Sequence, residues 1–523
     1  MVKPKNISQR YLAIICLILF LTFLDNTIVS VALFSIQSTL RVGVINLQWV
    51  VDAYMLVFAV FMLSGGTLGD RLGRKKIMLA GVLLFSIGSF IAMLAPSVNW
   101  LIAGRIVMGL GAAASEPGTL SMIRQIYKNK KQRAKALGVW AAVSGIALAF
   151  GPIIGGLLIS FSNWRAIFAF SSVLGIISLF TGFLYLPNDH LKNNNSFDYI
   201  GLILGGLGLS FITGGLIEGE NYGYLQPVII FLLVIGLVLL FSFIVIENLI
   251  KQPVLPMNFF KNKNFTLANL IAFSTNFAIF AVFFFVSLYL QLIAGFSGYQ
   301  LVLVFISISV AMVISALATG RVNSTNKKVP LEMFGCIIAA IGVYLVNIML
   351  SPKIGLIELS ASLFITGLGF GICLTGMTNS VLNSTPVNKS GIAASTVNTF
   401  REVGGVFSVA LLGLIVNSKL TTGLRHRLYA FHLPTNFQSF VIYAVTHGGH
   451  TPQSAHISVK ELISHASLIN KLTIAAYRAF GSGLNVSLDI ASSLLLITGV
   501  VSIMVFYLYD MKARTLKKFL NII

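Results

Sequence analysis

Five ionisable residues stand where the chain offers them no water: Asp25, Asp52, Arg105, Glu116 and Glu402 all fall inside apolar runs of about twenty residues. A charge at that depth is costly and marks a path for protons, ions or a charged cargo. A carboxylate in a low-dielectric cavity can exchange a proton near neutral pH, and a nearby arginine or a cationic substrate competes with that proton. One such group can carry protons and cations in alternation. Asp25 lies past the middle of its run, in Leu24-Asp25-Asn26-Thr27-Ile28-Val29-Ser30. Glu402 shares a helical face with Ser395 and Asn398/Thr399. Arg105 and Glu116 are eleven residues apart, about 16 Å along one face of one helix, too far to pair but able to line one cavity. Asp52 stands near the outer end of the second run.

Two glycine-rich stretches bear on how the helices around these charges meet. Gly65-Gly66-Thr67-Leu68-Gly69-Asp70-Arg71-Leu72-Gly73-Arg74-Lys75-Lys76 separates two apolar runs. Its glycines let helix ends approach closely, and the Asp70 carboxylate can accept hydrogen bonds from guanidinium groups or a helix N-terminus. Gly69, Asp70, Arg71, Gly73 and Arg74 are the expected gating residues of a tight cytoplasmic connection. The second stretch runs Gly145-Ile146-Ala147-Leu148-Ala149-Phe150-Gly151-Pro152-Ile153-Ile154-Gly155-Gly156. Small residues there admit a partner helix, and Pro152 frees a backbone carbonyl and permits a kink. That suits a helix on which two halves pivot.

Stepping out to the elements, 523 residues with 56% hydrophobic, 10% charged and a mean hydropathy of +0.90 exclude an ordinary soluble protein. Fourteen spans are expected, near 11–33, 48–68, 76–95, 98–122, 134–160, 164–186 and 198–217 in the first part of the chain. The rest are near 226–247, 265–291, 299–319, 330–350, 355–382, 391–417 and 485–509. Lys and Arg crowd the loops on the N-terminal side, at 3–10, 71–76, 124–135, 251–263, 321–328 and 512–518. The short loops opposite hold only Arg41, Arg165 and Lys353, so both termini are expected in the cytoplasm of a multi-pass protein of the cell membrane. The net charge of +21 is therefore a topology signal, and no nucleic-acid partner is expected.

Three units follow: a six-helix bundle over residues 1–190, two linking helices over 191–257, and a second six-helix bundle over 258–523 with a large extracytoplasmic loop at 418–484. The stretch Gly320 to Lys328 reads as a weakened copy of Gly65–Lys76 in the second half, the kind of duplication on which transporters build a site between halves. Six of the seven histidines fall in the 418–484 loop. Only one acid, Glu461, and no cysteine accompany them at irregular spacing, which favours a solvated loop over a metal site. Cys16, Cys336 and Cys373 lie in apolar runs and imply neither disulfide nor metal. No Gly-Lys dipeptide exists, hence no P-loop, and no span carries a Ser/His/Asp or His-x-x-x-His set. A secondary transporter without cofactor or metal fits better than an ATPase, an enzyme, or a receptor built on the loop.

Taken together the motifs resemble those of the fourteen-helix drug:proton antiporters of the major facilitator superfamily. Gly65–Lys76 is similar to that superfamily's cytoplasmic loop motif, and Leu24 to Leu33 to the first-span signature of its fourteen-helix branch. Leu101 to Gly111 carries the fourth-span pattern with Arg105, and Gly145 to Gly156 the antiporter motif with Gly145, Gly151, Pro152, Gly155 and Gly156. Asn163-Trp164-Arg165, Phe197 to Gly201, Tyr289-Leu290-Gln291 and Phe400 to Gly405 extend the likeness along the chain. Glu116 before Pro117, and Asp52, depart from it by adding acids. The resemblance implies an all-α integral membrane protein, two six-helix bundles plus two extra helices. It would export amphipathic, lipophilic or cationic drugs in exchange for protons, by alternating access and as a monomer. Asp25, Glu402 and Arg105, with Glu116 and Asp52, are its expected proton and substrate residues, and Asp70 a latch. A proton-coupled carrier of one metabolite, siderophore or lipid is the alternative.

Overall fold

The computed structural model describes residues 4–188, 198–250, 253, 255–325, 330–350, 355–385, 390–430 and 466–520. It is helical throughout these residues, as a chain with no bilayer water to satisfy its amides requires. Fourteen helices among them are long and apolar enough to cross a membrane. The first six are α1 (Ser8–Leu40), α2 (Val44–Met62), α3 (Arg74–Met93), α4 (Val98–Ile123), α5 (Lys135–Phe161) and α6 (Arg165–Tyr185). Two more follow, α7 (Tyr199–Gly219) and α8 (Pro227–Leu249). The last six are α9 (Lys263–Leu292), α10 (Gly298–Val322), α11 (Leu331–Met349), α12 (Leu356–Ser384), α13 (Ile392–His426) and α14 (Ala476–Leu508).

Helices α1–α6 pack mainly on one another, as do α9–α14, and the two sets meet where α5 lies on α10 and α2 on α13. Helix α8 shows most of its surface to the surroundings, with Phe231, Leu237 and Phe241 exposed, so α7 does the docking, against α2 and α13. The first helix of each set departs from α geometry at the same level. α1 tightens into a 3₁₀ turn at Val29–Ala32, α9 widens into a π turn at Ala281–Val286, and the two turns touch.

Two expectations about connections change. The stretch Gly65–Lys76 is no extended loop: helix runs on from α2 to Leu72, and the whole turn is Gly73, at φ +106°, before α3 begins at Arg74. Only glycine holds that conformation without strain, and its N–H closes the helix on Gly69 O at 3.0 Å. The loop expected over 418–484 is also narrower, since helix continues to Ala430 and resumes at Ala466. Leu420, Leu424 and Leu428 carry a buried stripe past the membrane span, where Gly423 lets Ala479 of the opposing helix come close. The histidines at 432, 447, 450, 456 and 465 lie outside the described residues, as do most of the linker 187–195 and Lys327-Lys328 of the partial copy.

Candidate functional site

Asp25 on α1 is wholly buried and ion-pairs with Arg105 of α4. The guanidinium is held from three directions. Its Nε donates to Val50 O of α2 at 2.9 Å, its face lies 4.3 Å from the Tyr54 ring centroid, and Tyr54 is fixed in turn by donating to Thr22 O of α1. Arg105 was expected to share a cavity with Glu116; it instead closes onto Asp25.

A second ion pair belongs to α13. Arg401 Nη2 donates to Glu402 Oε1 at 3.0 Å, and its guanidinium lies 4.1 Å from the centroid of Phe23 on α1. Asn26 of α1 donates to the same Glu402 oxygen at 3.1 Å, and Asn276 of α9 donates to Arg401 O at 2.8 Å. Phe23 and Asn26 thus tie the first helix set to α13, one residue on either side of the turn that presents Asp25. Each ion pair also leaves one oxygen unused: Asp25 Oδ1 and Glu402 Oε2 are buried without a hydrogen-bond partner among the described residues.

Glu116 and Asp52 sit apart from these pairs. Glu116 Oε1 accepts from Asn398 Nδ2 of α13 at 2.6 Å, while Oε2 has no partner. Asp52 is wholly buried with neither oxygen hydrogen-bonded. Neither acid forms an ion pair among the described residues. The face shared by Ser395, Asn398, Thr399 and Glu402 is only partly realised. Asn398 and Glu402 reach across to the first helix set and Ser395 approaches Gly66, but Thr399 points toward a different cavity.

The glycine motifs bring the helices within reach. Pro152 has no N–H to offer Leu148 O, and Thr27 Oγ1 of α1 takes that carbonyl at 2.9 Å. A Cβ at Gly151 would meet Thr27 Oγ1 at 2.0 Å, and one at Gly155 would meet Ile28 O at 2.8 Å. On the other flank Ser309 of α10 donates to Ala149 O, and a Cβ at Gly156 would stand 2.9 Å from Gly298 O. Gly145 touches Ala316 more loosely. Pro117 repeats the device in α4. It frees Ala113 O, against which Gly65 packs so closely that a Cβ would come within 2.1 Å.

At the Gly73 turn the basic residues grip helix C-terminal carbonyls. Lys75 Nζ donates to Phe183 O at 3.0 Å and Leu186 O at 2.6 Å, and Arg74 to Ser121 O at 3.2 Å. Arg71 is exposed, Gly69 packs near Arg74, and the side chain of Asp70 lies outside the described residues.

The two helix sets touch at both ends: at the end bearing Gly73, Gly66 lies near Ser395 and Asn398 donates to Glu116; at the opposite end Gly156 packs on Gly298 and Gln48 donates to Val409 O. Helix packing of this kind is shared by solved transporters. A bacterial homolog of the human lysosomal transporter Spinster, in an inward-facing and unoccupied conformation, superposes with a TM-score of 0.64 over 96% of this chain and 98% of that one, at 17% identity. The human organic anion transporter MFSD10 gives a TM-score of 0.57 over 95% of this chain and 99% of that one, at 14% identity.

The deciding match is in sequence: the family model for the Major Facilitator Superfamily aligns with residues 15–409. The chain belongs to that superfamily. Within it, the methylenomycin A resistance protein of Bacillus subtilis is 30% identical over 410 residues, 78% of this chain and 88% of the relative. Multidrug resistance protein Stp of Mycobacterium tuberculosis is 30% identical over 411 residues, 78% of this chain and 76% of its own length. Multidrug efflux pump LfrA of Mycolicibacterium smegmatis is 30% identical over 404 residues, 77% and 80%. This superfamily member therefore keeps company with transport proteins rather than enzymes.

Sequence reasoning missed Arg401, Asn26, Asn276 and Tyr54. Arg401 carries the same signal that marked Arg105, a charge inside a span, but neighbours in sequence point to different helix faces and so did not suggest a pair with Glu402. The amides and the tyrosine carry no charge, and nothing in their spacing sets them apart.

Proposed function

We propose that this superfamily member is a proton-coupled antiporter that exports amphipathic, lipophilic or cationic compounds by alternating access. The supporting observation is the pair of buried carboxylates, Asp25 and Glu402, each holding an arginine with one oxygen and leaving the other free. A proton arriving at the free oxygen competes with the arginine for the charge. Because Asn26 and Phe23 reach from α1 to Glu402 and Arg401, loosening either pair loosens the grip of one helix set on the other. Asp52 and Glu116, with no counter-ion among the described residues, supply negative charge for a cationic cargo.

The relatives' names speak of resistance and efflux, which supports outward transport. One proton crossing 100 mV and one pH unit releases about 3.7 kcal/mol, enough to hold a cargo gradient of several hundredfold without ATP. In this reading residues 1–190 and 258–523 are the two rocking bundles and 191–257 the link between them. The Gly73 turn is the cytoplasmic latch, and both termini face the cytoplasm of a bacterial cell membrane. Relatives named for a single antibiotic lend support to a narrower cargo range within the same mechanism.

The test is accumulation of a lipophilic cationic dye. Cells expressing the protein should hold less dye than control cells and lose the advantage when a protonophore is added. Equal accumulation in both, with no response to the protonophore, defeats the proposal.

A further inference from the structure

A cavity of about 440 Å³ lies away from the ion pairs, enclosed by α2, α7, α8, α13 and the entry to α9 at the end of the molecule that bears Gly73. Cavities that hold small molecules run from roughly 300 to 1,000 Å³, and gaps between well-packed helices are far smaller. Three features say what would fill it. One flank carries Gly201, Gly205 and Gly206 of α7, and the last two let Phe243 and Val60 pack close to the helix backbone. The walls are aromatic, with Phe243, Phe260, Phe273, Phe400 and Phe407 all lining it. Their rings already adopt tilted pairings, Phe260 with Phe400 at 5.7 Å and Phe273 with Phe407 at 6.2 Å. Its rim includes Ile244 on the exposed flank of α8, so entry is from hydrocarbon rather than water. Its only hydroxyl-bearing lining residues are Ser64 and Thr399.

Five ring quadrupoles favour a planar aromatic guest over a saturated acyl chain, which has no charge distribution to meet ring faces and edges. The wall also belongs to the central site's own helix. Thr399, Phe400 and Val403 on α13 flank Arg401 and Glu402 in sequence, whose side chains point to the ion pairs. We propose that this cavity is a second binding site, which takes the aromatic body of lipophilic compounds sideways from the bilayer. The link to cargo rests on the transport function proposed above; the binding itself does not.

The experiment is photolabelling of the full-length protein in lipid nanodiscs with 1-azidopyrene, followed by peptide mapping. Label should concentrate on 257–260 and 399–407 and be displaced by excess pyrene. Val403→Trp, which fills the cavity, should cut it by about tenfold, while thermal melting and size-exclusion elution stay as in the unaltered protein. Should Val403→Trp fail to fold, Leu240→Trp fills the cavity from the α8 side and must give the same loss. Label spread evenly along exposed α8 residues overturns the proposal. So does label displaced by added phosphatidylglycerol but not by pyrene, the mark of a lipid site, or label unchanged by filling. Labelling requires no transport. Site-specific label in a protein that exports no dye would leave the site standing and remove the transport function; export with unspecific label would do the reverse.

Discussion

Asp25 and Arg105 form a buried pair to which the proposed function gives a mechanistic as well as a structural role, and substitutions can separate the two. Replacing Asp25 alone by Asn strands a buried guanidinium, at a cost of about 3–5 kcal/mol. The double variant Asp25→Asn/Arg105→Gln removes both charges. Its melting temperature should recover most of what Asp25→Asn loses, while proton-driven export stays absent; recovery of export with stability would make the pair merely structural. Glu116→Gln keeps an oxygen for Asn398 to donate to but discards the charge. Dye-efflux assays should show export of cationic dyes falling at least about tenfold and that of neutral compounds little altered, since one lost charge contact of 1.4 kcal/mol is worth that factor. Equal losses for both would tie Glu116 to coupling instead. The acids were legible in the sequence because a charge in an apolar run is conspicuous. Which partner each takes was not, because pairing depends on how helices rotate against one another, and the spacing of Asp25 and Arg105 in sequence says nothing of which faces meet.

Helix α5 works through what it lacks. With no side chain at Gly151, Gly155 or Gly156 it lies directly on α1 and α10, and with no amide at Pro152 it hands Leu148 O to Thr27. Thr27→Val keeps the shape and removes the donor, leaving a buried carbonyl unpaired; thermal unfolding should reveal a loss of about 1–3 kcal/mol, restored by Thr27→Ser. Gly156→Val sets a side chain where Gly298 O and Val302 already are, so it should prop α5 from α10. Cysteines placed at 155 and 298 would then react faster with a membrane-impermeant maleimide than in the unsubstituted background. The small-residue spacing announced a close-packed helix, and the contacts at Gly151, Gly155 and Gly156 are of that kind. The sequence could not name Thr27 as the recipient of the freed carbonyl, because the donor sits 121 residues away. Nor did it foresee that the Gly65–Lys76 stretch is mostly helix: four glycines read as a loop, yet three of them lie within the helix, where Gly65 packs on Ala113 O and Gly66 on Pro117.

For the whole molecule, the number of spans and the superfamily were legible from hydropathy and from a handful of motifs, and the structure and its relatives agree. The contacts between the two helix sets were not, since they join distant helices: Glu116 with Asn398 at one end, Gly156 with Gly298 at the other. The function proposed above requires that protons and cargo take turns at the arginine-paired central acids. Proteoliposomes carrying a pH-sensitive dye inside and an imposed proton gradient put that to the test. Adding ethidium on the side from which it is taken up should drive protons the opposite way at once in the unaltered protein, and not at all in Asp25→Asn. Ethidium flux that proceeds equally with the gradient collapsed, or protons and ethidium moving in the same direction, would contradict the account.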